Sequence, residues 1–260
     1  MEVHHHPNVD HKRFKEYFLE FLMIFLAVTL GFFAENIREH VSDKTKLKEY
    51  MKEIVANLKY DTVRCNLNYA SNVIHIAGLD SFRIELKRAM DGKIEGDALY
   101  YFNFLYGSDF GHAAFNTSAV AELKNSGFLR LIDNRKIVDE LSDYYERKIF
   151  ATNSFLPDNR NVEKTESEIF SLLNLDDYVT SWDSAETTAY RTKYDFSEML
   201  RKNPPLTLIS TERKQLEKLY NDESTFEINI KRYDFWLGVC KTAATQLMND
   251  IEKEYRFTNE

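Results

Sequence analysis

The two cysteines of the chain, Cys65 and Cys240, are the residues whose chemistry is easiest to define. In an oxidising compartment, two thiols that meet in a fold form a disulfide. This bond would fix an antiparallel register in which Ile54 lies near Ile251. The other interpretation is a pair of buried free thiols, which are common core residues. Both stay open, because a disulfide between two helices requires a close approach of their Cα atoms.

An aromatic segment, Tyr100 to Phe115, is the second chemical feature. It places seven Phe and Tyr in 16 residues, and its Gly107 and Gly111 permit tight turns. Such a segment can bind a partner or a ligand, because aromatic side chains supply much of the binding energy at interfaces. It can equally close the membrane-distal end of a helical bundle. The aromatic residues are Tyr100, Tyr101, Phe102, Phe104, Tyr106, Phe110 and Phe115.

Motifs for catalysis or cofactor binding are missing from the sequence. It contains no Gly-rich phosphate loop, no HExxH and no CxxC, and His40, His75 and His112 are isolated. The run from His4 to His6 has no cysteine or acidic residue at ligand spacing. We therefore expect a protein that is not an enzyme, with no cofactor and no metal.

The elements that position these residues begin with an apolar stretch from Phe21 to Ala34 that carries no charge. Extended back to Tyr17 it has 18 residues and is interrupted only by Glu20, close to the ~20 residues that a membrane-spanning helix needs. We expect a membrane anchor, with a cleaved signal peptide and a buried core helix as the alternatives. The anchor residues are Phe21, Leu22, Ile24, Phe25, Leu26, Val28, Leu30, Phe32 and Phe33.

Basic residues predict the orientation of this anchor. Lys12, Arg13 and Lys15 precede it, and lysine and arginine stay on the cytoplasmic side of a membrane. This predicts a cytoplasmic segment at residues 1–16, a transmembrane anchor at 17–34 and an extracytoplasmic helical domain at 35–260. Glu20 lies at the cytoplasmic end of the span, where its carboxylate can reach the interface.

Composition favours an all-α fold for the remainder. Eight Gly and four Pro are few for a fold rich in tight turns, and the polar segments are rich in Lys and Glu. The net charge of −8 disfavours binding to nucleic acid, because that affinity depends on neutralising phosphates.

Apolar periodicity predicts two long helices. One runs from Glu35 to Ala77, with a break near Ser42 and an apolar seam at Leu47, Met51, Ile54, Leu58, Cys65, Tyr69 and Ile76. The other follows Ser210 as its N-cap. Its seam repeats every three or four residues at Leu216, Leu219, Glu223, Phe226, Ile230, Tyr233, Leu237, Cys240, Ala244, Leu247 and Ile251.

Shorter helices are predicted between them, at residues 79–90, 117–126 and 135–150, the last with Asp133 or Asn134 as its cap. A long irregular connection is predicted at residues 176–209. Together these elements predict an N-terminal transmembrane helix followed by an elongated antiparallel helical bundle.

Two segments resemble a family of Bacteroidota single-pass membrane proteins of uncharacterised function. One is HHHP followed by FKEYFLEFLMIFLAVTLGFFAENIREH, and the other is NTSAVAELKNSGFLRLIDNRKIVDELSDYY, from Asn116 to Tyr145. The resemblance covers about 60 residues. It implies a mostly helical envelope protein held in the bacterial inner membrane, and it implies no site residues.

Two functions follow as expectations. The first is a non-enzymatic scaffold or assembly subunit that acts through helix–helix contacts, with a protein partner or a second copy of the chain. The second is an extracytoplasmic helical bundle that binds a small ligand and signals through a separate partner.

Overall fold

The computed structural model describes residues 14–93, 98–99, 102–103, 106, 110–156, 167–169, 171–173 and 208–257. The fold is all-α, as predicted, and the described residues form no β-strand. Its elements are α1 (Phe14–Met90), α2 (Ser118–Asn125), a 3-10 turn (Phe128–Leu131), α3 (Arg135–Ser142), a π-helical segment (Asp143–Lys148), α4 (Ile149–Asn153) and α5 (Arg213–Tyr255).

Helix α1 is a single helix of 77 residues, about 115 Å long at 1.5 Å per residue. The predicted break near Ser42 and the separate helix at residues 79–90 are therefore wrong. The helix contains no proline. Near the predicted break, the Thr45 hydroxyl donates a hydrogen bond to the Val41 carbonyl of the same helix (3.0 Å). The helix continues through Gly78, against which the ring of Tyr106 packs so closely that a Cβ would come within 2.2 Å of a ring carbon.

Helix α5 lies antiparallel to α1. The hydrogen bond between Asn72 and Asp234 (2.7 Å) and the ion pair between Lys59 and Glu252 (3.2 Å) define the pairing, and Lys87 lies over the Tyr220 ring nearer the far end of α1. All eleven positions of the predicted α5 seam are buried. This part of the sequence prediction is confirmed.

The buried face of α1, here called the inner seam, follows the prediction at Leu47, Met51, Ile54, Leu58 and Cys65. It then passes through Asn68 and Asn72, while Tyr69 is 54% exposed. The alternating spacing of three and four residues continues from Cys65 to Asn68 and Asn72. The buried face therefore keeps its register although these two residues are polar.

The segment from α2 to α4 packs beside the two long helices. Helix α3 begins at its predicted cap, where the Asn134 side chain accepts a hydrogen bond from the Lys136 N–H (3.1 Å). The predicted helix at residues 135–150 is interrupted by the π-helical segment, which buries Tyr144 and Tyr145 side by side in the core. The rings of Tyr144 and Tyr145 contact each other edge to face, with their centroids 4.8 Å apart.

No residue of α1 before Leu47 is buried. The end of the core nearest the N-terminal part of α1 is closed by Tyr50, Phe128 and Tyr255, and residues 14–46 project beyond it. At 1.5 Å per residue this projecting part is about 50 Å long.

Candidate functional site

The projecting part of α1 exposes a continuous apolar surface. Its most apolar 18-residue window has a mean hydropathy of 2.1 and no buried residue. Of the nine anchor residues predicted from sequence, all except the half-buried Leu22 are exposed, with Phe32 at 74% and Ile24 at 66%. This helix is long and apolar enough to cross a membrane. In lipid its backbone is satisfied within the helix, and Thr29 donates its hydroxyl to the Phe25 carbonyl (2.7 Å).

A groove of about 810 Å³ lies between the α3 and π-helical region and helix α5. That volume falls in the range of small-molecule sites. Small residues of α5, among them Gly238, Thr242 and Ala243, line the groove, and the exposed ring of Phe235 also lines it. The whole lining comprises Glu140, Asp143, Lys148, Asp234, Phe235, Gly238, Val239, Thr242, Ala243 and Gln246.

Acidic side chains outnumber basic ones around this groove. Glu140, Asp143 and Asp234 oppose a single Lys148, whose Nζ lies 3.6 Å from Asp143 Oδ2. Burial raises the pKa of Glu140, and the neighbouring Asp250 raises it further. Burial also raises the pKa of Asp234, against the lowering effect of the hydrogen bond from Asn72. Glu140 and Asp143 also have cationic partners that are not part of the lining, Lys136 at 3.5 Å and Arg147 at 3.1 Å.

A polar network holds the loop from Phe110 to Thr117 against the long helices. The buried Asp61 accepts hydrogen bonds from the Asn116 N–H (3.0 Å) and the Tyr144 hydroxyl (2.7 Å). Further along the loop, Asn72 accepts from the Gly111 N–H (2.7 Å). Since Asn72 also donates to Asp234 in the wall of the groove, one network links α1, this loop and the groove.

The described part of the predicted aromatic patch is packed into the body. Phe110 contacts Phe226 and Tyr233 edge to face, at centroid distances of 5.9 and 5.7 Å. Tyr106 lies on Gly78 and His75, and Phe102 and Phe115 pack against the core clusters. Tyr100, Tyr101 and Phe104 lie outside the described residues. The contacts favour a packing role for the described members, and a role in binding stays a prediction.

Cys65 and Cys240 face each other across the α1–α5 contact as buried free thiols. Burial raises the pKa of Cys65 to about 12 and that of Cys240 to about 11, so neither reacts readily at neutral pH. Thr152 contacts the Cys240 sulfur at 3.0 Å. The predicted antiparallel register is observed, and the disulfide itself stays a prediction.

The part of the chain that the structure describes contains no group of three or more His, Cys, Asp or Glu side chains that could bind a metal ion. The groove was not found from the sequence. A signal for it existed in Gly238, the one glycine of α5, because a glycine inside a long helix costs stability unless the missing side chain is used.

Comparisons of the chain with protein-family models, with curated proteins and with solved structures gave no match. The fold and the exposed helix define a class: an all-α protein with one helix long and apolar enough to cross a membrane.

Proposed function

We propose that the protein is a membrane-anchored, non-enzymatic scaffold or assembly subunit of the bacterial cell envelope that acts through helix–helix contacts. The observation that carries this proposal is the continuity of α1. One uninterrupted helix contains both the exposed apolar segment and the inner seam of the body. A rigid connection of this kind holds the body at a set height and orientation relative to the bilayer.

The proposal includes a topology. Residues 1–16 are cytoplasmic, 17–34 span the inner membrane, and 35–260 are periplasmic. Lys12, Arg13 and Lys15 support this orientation through the positive-inside rule. The resemblance to Bacteroidota envelope proteins supports the choice of membrane.

Arginine at both Leu26 and Val28 is expected to abolish membrane insertion, since each arginine near the centre of a span costs about 2.5–3.5 kcal/mol. The wild-type chain should remain in the membrane pellet after alkaline carbonate extraction, and the double variant should move to the supernatant. The matched control is Leu26→Ile with Val28→Leu, which should stay in the pellet. Release of the wild-type chain by carbonate would contradict the anchor.

The groove favours a second candidate function, the sensing of a small ligand outside the cytoplasm. A ligand in the groove would lie beside Asp234, whose partner Asn72 belongs to α1. Binding could therefore be communicated to the helix that enters the membrane. The lining residues include three carboxyl groups and one lysine, so we take organic cations as the ligand class to test first.

Leucine at Gly238 is expected to fill the groove without unfolding the protein, because a Cβ at this position meets no atom within 4 Å. In a thermal-shift screen against organic cations, a ligand of the groove should raise the Tm of the wild type and leave Gly238→Leu unchanged. The control is Gly238→Ala, which keeps the groove open and should itself stabilise helix α5 by about 1 kcal/mol. A flat response of the wild type to the whole panel would count against sensing.

A further inference from the structure

Helix α1 carries a second apolar seam on the face turned away from the body. Its positions follow the same alternation of three and four residues as the inner seam, displaced by two residues. Two residues correspond to about 200° around an α-helix, so the two seams lie on opposite faces. This outer seam comprises Ala56, Tyr60, Val63, Leu67, Ala70, Ile74, Ala77, Ser81 and Ile84.

None of the nine outer-seam positions is charged, and the five charged residues of the same stretch lie at other positions: Lys59, Asp61, Arg64, Asp80 and Arg83. The hydroxyl of Ser81 donates a hydrogen bond within the helix, to the Ala77 carbonyl (3.0 Å). Single exposed apolar residues are common on protein surfaces, but a straight row of them about 42 Å long marks an interaction surface.

The large residues of the outer seam are well exposed. The exposed fraction is 51% for Tyr60, 54% for Val63, 60% for Leu67 and Ile74, and 58% for Ile84. With roughly 100 Å² exposed on each, two copies of the seam would bury about 1,000 Å² together. That is the lower limit for a specific protein–protein interface.

We propose that the outer seam binds the outer seam of a second copy of this chain, as a parallel and in-register two-helix coiled coil. The inference rests on the proposed membrane anchor. Two copies anchored in one bilayer point the same way and stand at the same height, so each residue meets its own counterpart. Sharing a membrane also raises the effective concentration of the two seams, which favours an interface of modest area.

Three charged residues beside the seam are paired within their own chain. Lys59 lies 3.2 Å from Glu252, Asp80 is bound by Arg83, and Glu85 lies 3.1 Å from Arg88. These pairs weaken the repulsion between like flanks of a parallel dimer. Arg64 has no ion pair in the described part of the chain, and its guanidinium lies over the Tyr60 ring, 6.0 Å from the ring centroid.

An antiparallel pair would place Lys59 opposite Asp80 and also Arg64 opposite Glu85 of the second copy, which is electrostatically attractive. It would, however, point the two anchors in opposite directions. One bilayer cannot hold both anchors in that arrangement, and this decides for the parallel pair.

The test is cysteine cross-linking of the full-length chain in native membranes. Single variants Leu67→Cys and Ile74→Cys are expected to form disulfide-linked dimers on mild oxidation. The control Tyr69→Cys stands at the same height and is 54% exposed, but lies off the seam, and it should remain monomeric. The native Cys65 and Cys240 do not interfere, because they are buried with pKa values of about 12 and 11.

A second variant tests the interface without cross-linking. Leu67→Glu with Ile74→Glu changes only exposed side chains, so the fold and its circular dichroism should be retained while dimer affinity in detergent falls at least 100-fold.

Cross-linking of Val63→Cys to Ser81→Cys, without self-linking at Leu67, would overturn the parallel pair. A monomeric wild-type chain, or equal linking at Tyr69, would overturn the seam. Carbonate extraction of the same membranes tests the anchor separately, since a soluble chain that still self-links would overturn only the anchor.

Discussion

Alanine at Asp61 is expected to lower the free energy of unfolding by about 3–4 kcal/mol. The Asp61 carboxylate is fully buried and accepts the Asn116 N–H and the Tyr144 hydroxyl. Its removal leaves the buried Tyr144 hydroxyl and the part-buried Asn116 N–H without partners, and a buried donor without a partner costs about 1–3 kcal/mol. Urea unfolding followed by circular dichroism at pH 7 measures the effect.

A double-mutant cycle separates the hydrogen bonds from the volume change. Tyr144→Phe alone should cost about 1–2 kcal/mol, and its coupling to Asp61→Ala should be about 1–3 kcal/mol, since the two side chains bond directly. Asp61→Asn should be milder than alanine because it keeps one acceptor oxygen. Burial raises the pKa of Asp61 despite its two donors. A loss below 1 kcal/mol for Asp61→Ala would show that the network does not hold the loop.

Glutamine at Glu223 is expected to stabilise the protein at alkaline pH by a few kcal/mol. Glu223 is fully buried on the inner face of α5, and neither carboxylate oxygen accepts a hydrogen bond from the described residues. Its pKa is raised to about 8, mainly by burial and also by the neighbouring Asp222, and only Arg83 acts in the opposite direction. Ionising this side chain in the core therefore opposes folding, and glutamine removes that charge.

The pH dependence follows from the sign of this shift. The folded state binds the Glu223 proton more tightly than the unfolded state, whose carboxyl has a pKa near 4.5. The free energy of unfolding should fall as the pH rises from about 4.5 to about 8, and change little above that. Urea unfolding of the wild type and of Glu223→Gln at pH 5, 7 and 9 should show curves that diverge with rising pH.

Glu227 supplies the matched control for this prediction. It is one helical turn away and almost as buried, but it is paired with Arg83 (2.5 Å) and with Lys231. Glu227→Gln should destabilise at neutral pH, because it breaks a buried ion pair and leaves Arg83 less compensated. Equal effects of the two substitutions would contradict the difference in their surroundings.

Composition predicted the all-α class, apolar periodicity predicted the two long helices, and pairing the two cysteines predicted their antiparallel register. The eleven seam positions of α5 are all buried, and Cys65 lies opposite Cys240 as an antiparallel pairing requires. The apolar segment at 17–34 and the Asn134 cap are also local signals, and the structure contains both. Local signals succeed because they depend on residues within a few turns of one another.

Tertiary structure alone decided the continuity of α1, the π-helical segment and the groove. The sequence predicted that the first long helix ends before Gly78, whereas in the structure it is continuous there and the ring of Tyr106 packs against the glycine. Asp61 is a polar residue on the apolar seam, and its hydrogen-bond partner Tyr144 lies 83 positions away in the sequence. The same holds for the groove, whose lining residues come from α3, the π-helical segment and α5. Sequence by itself determined which faces are apolar. Packing decided which of them is covered, because a buried polar group is tolerated only where distant residues supply its hydrogen bonds.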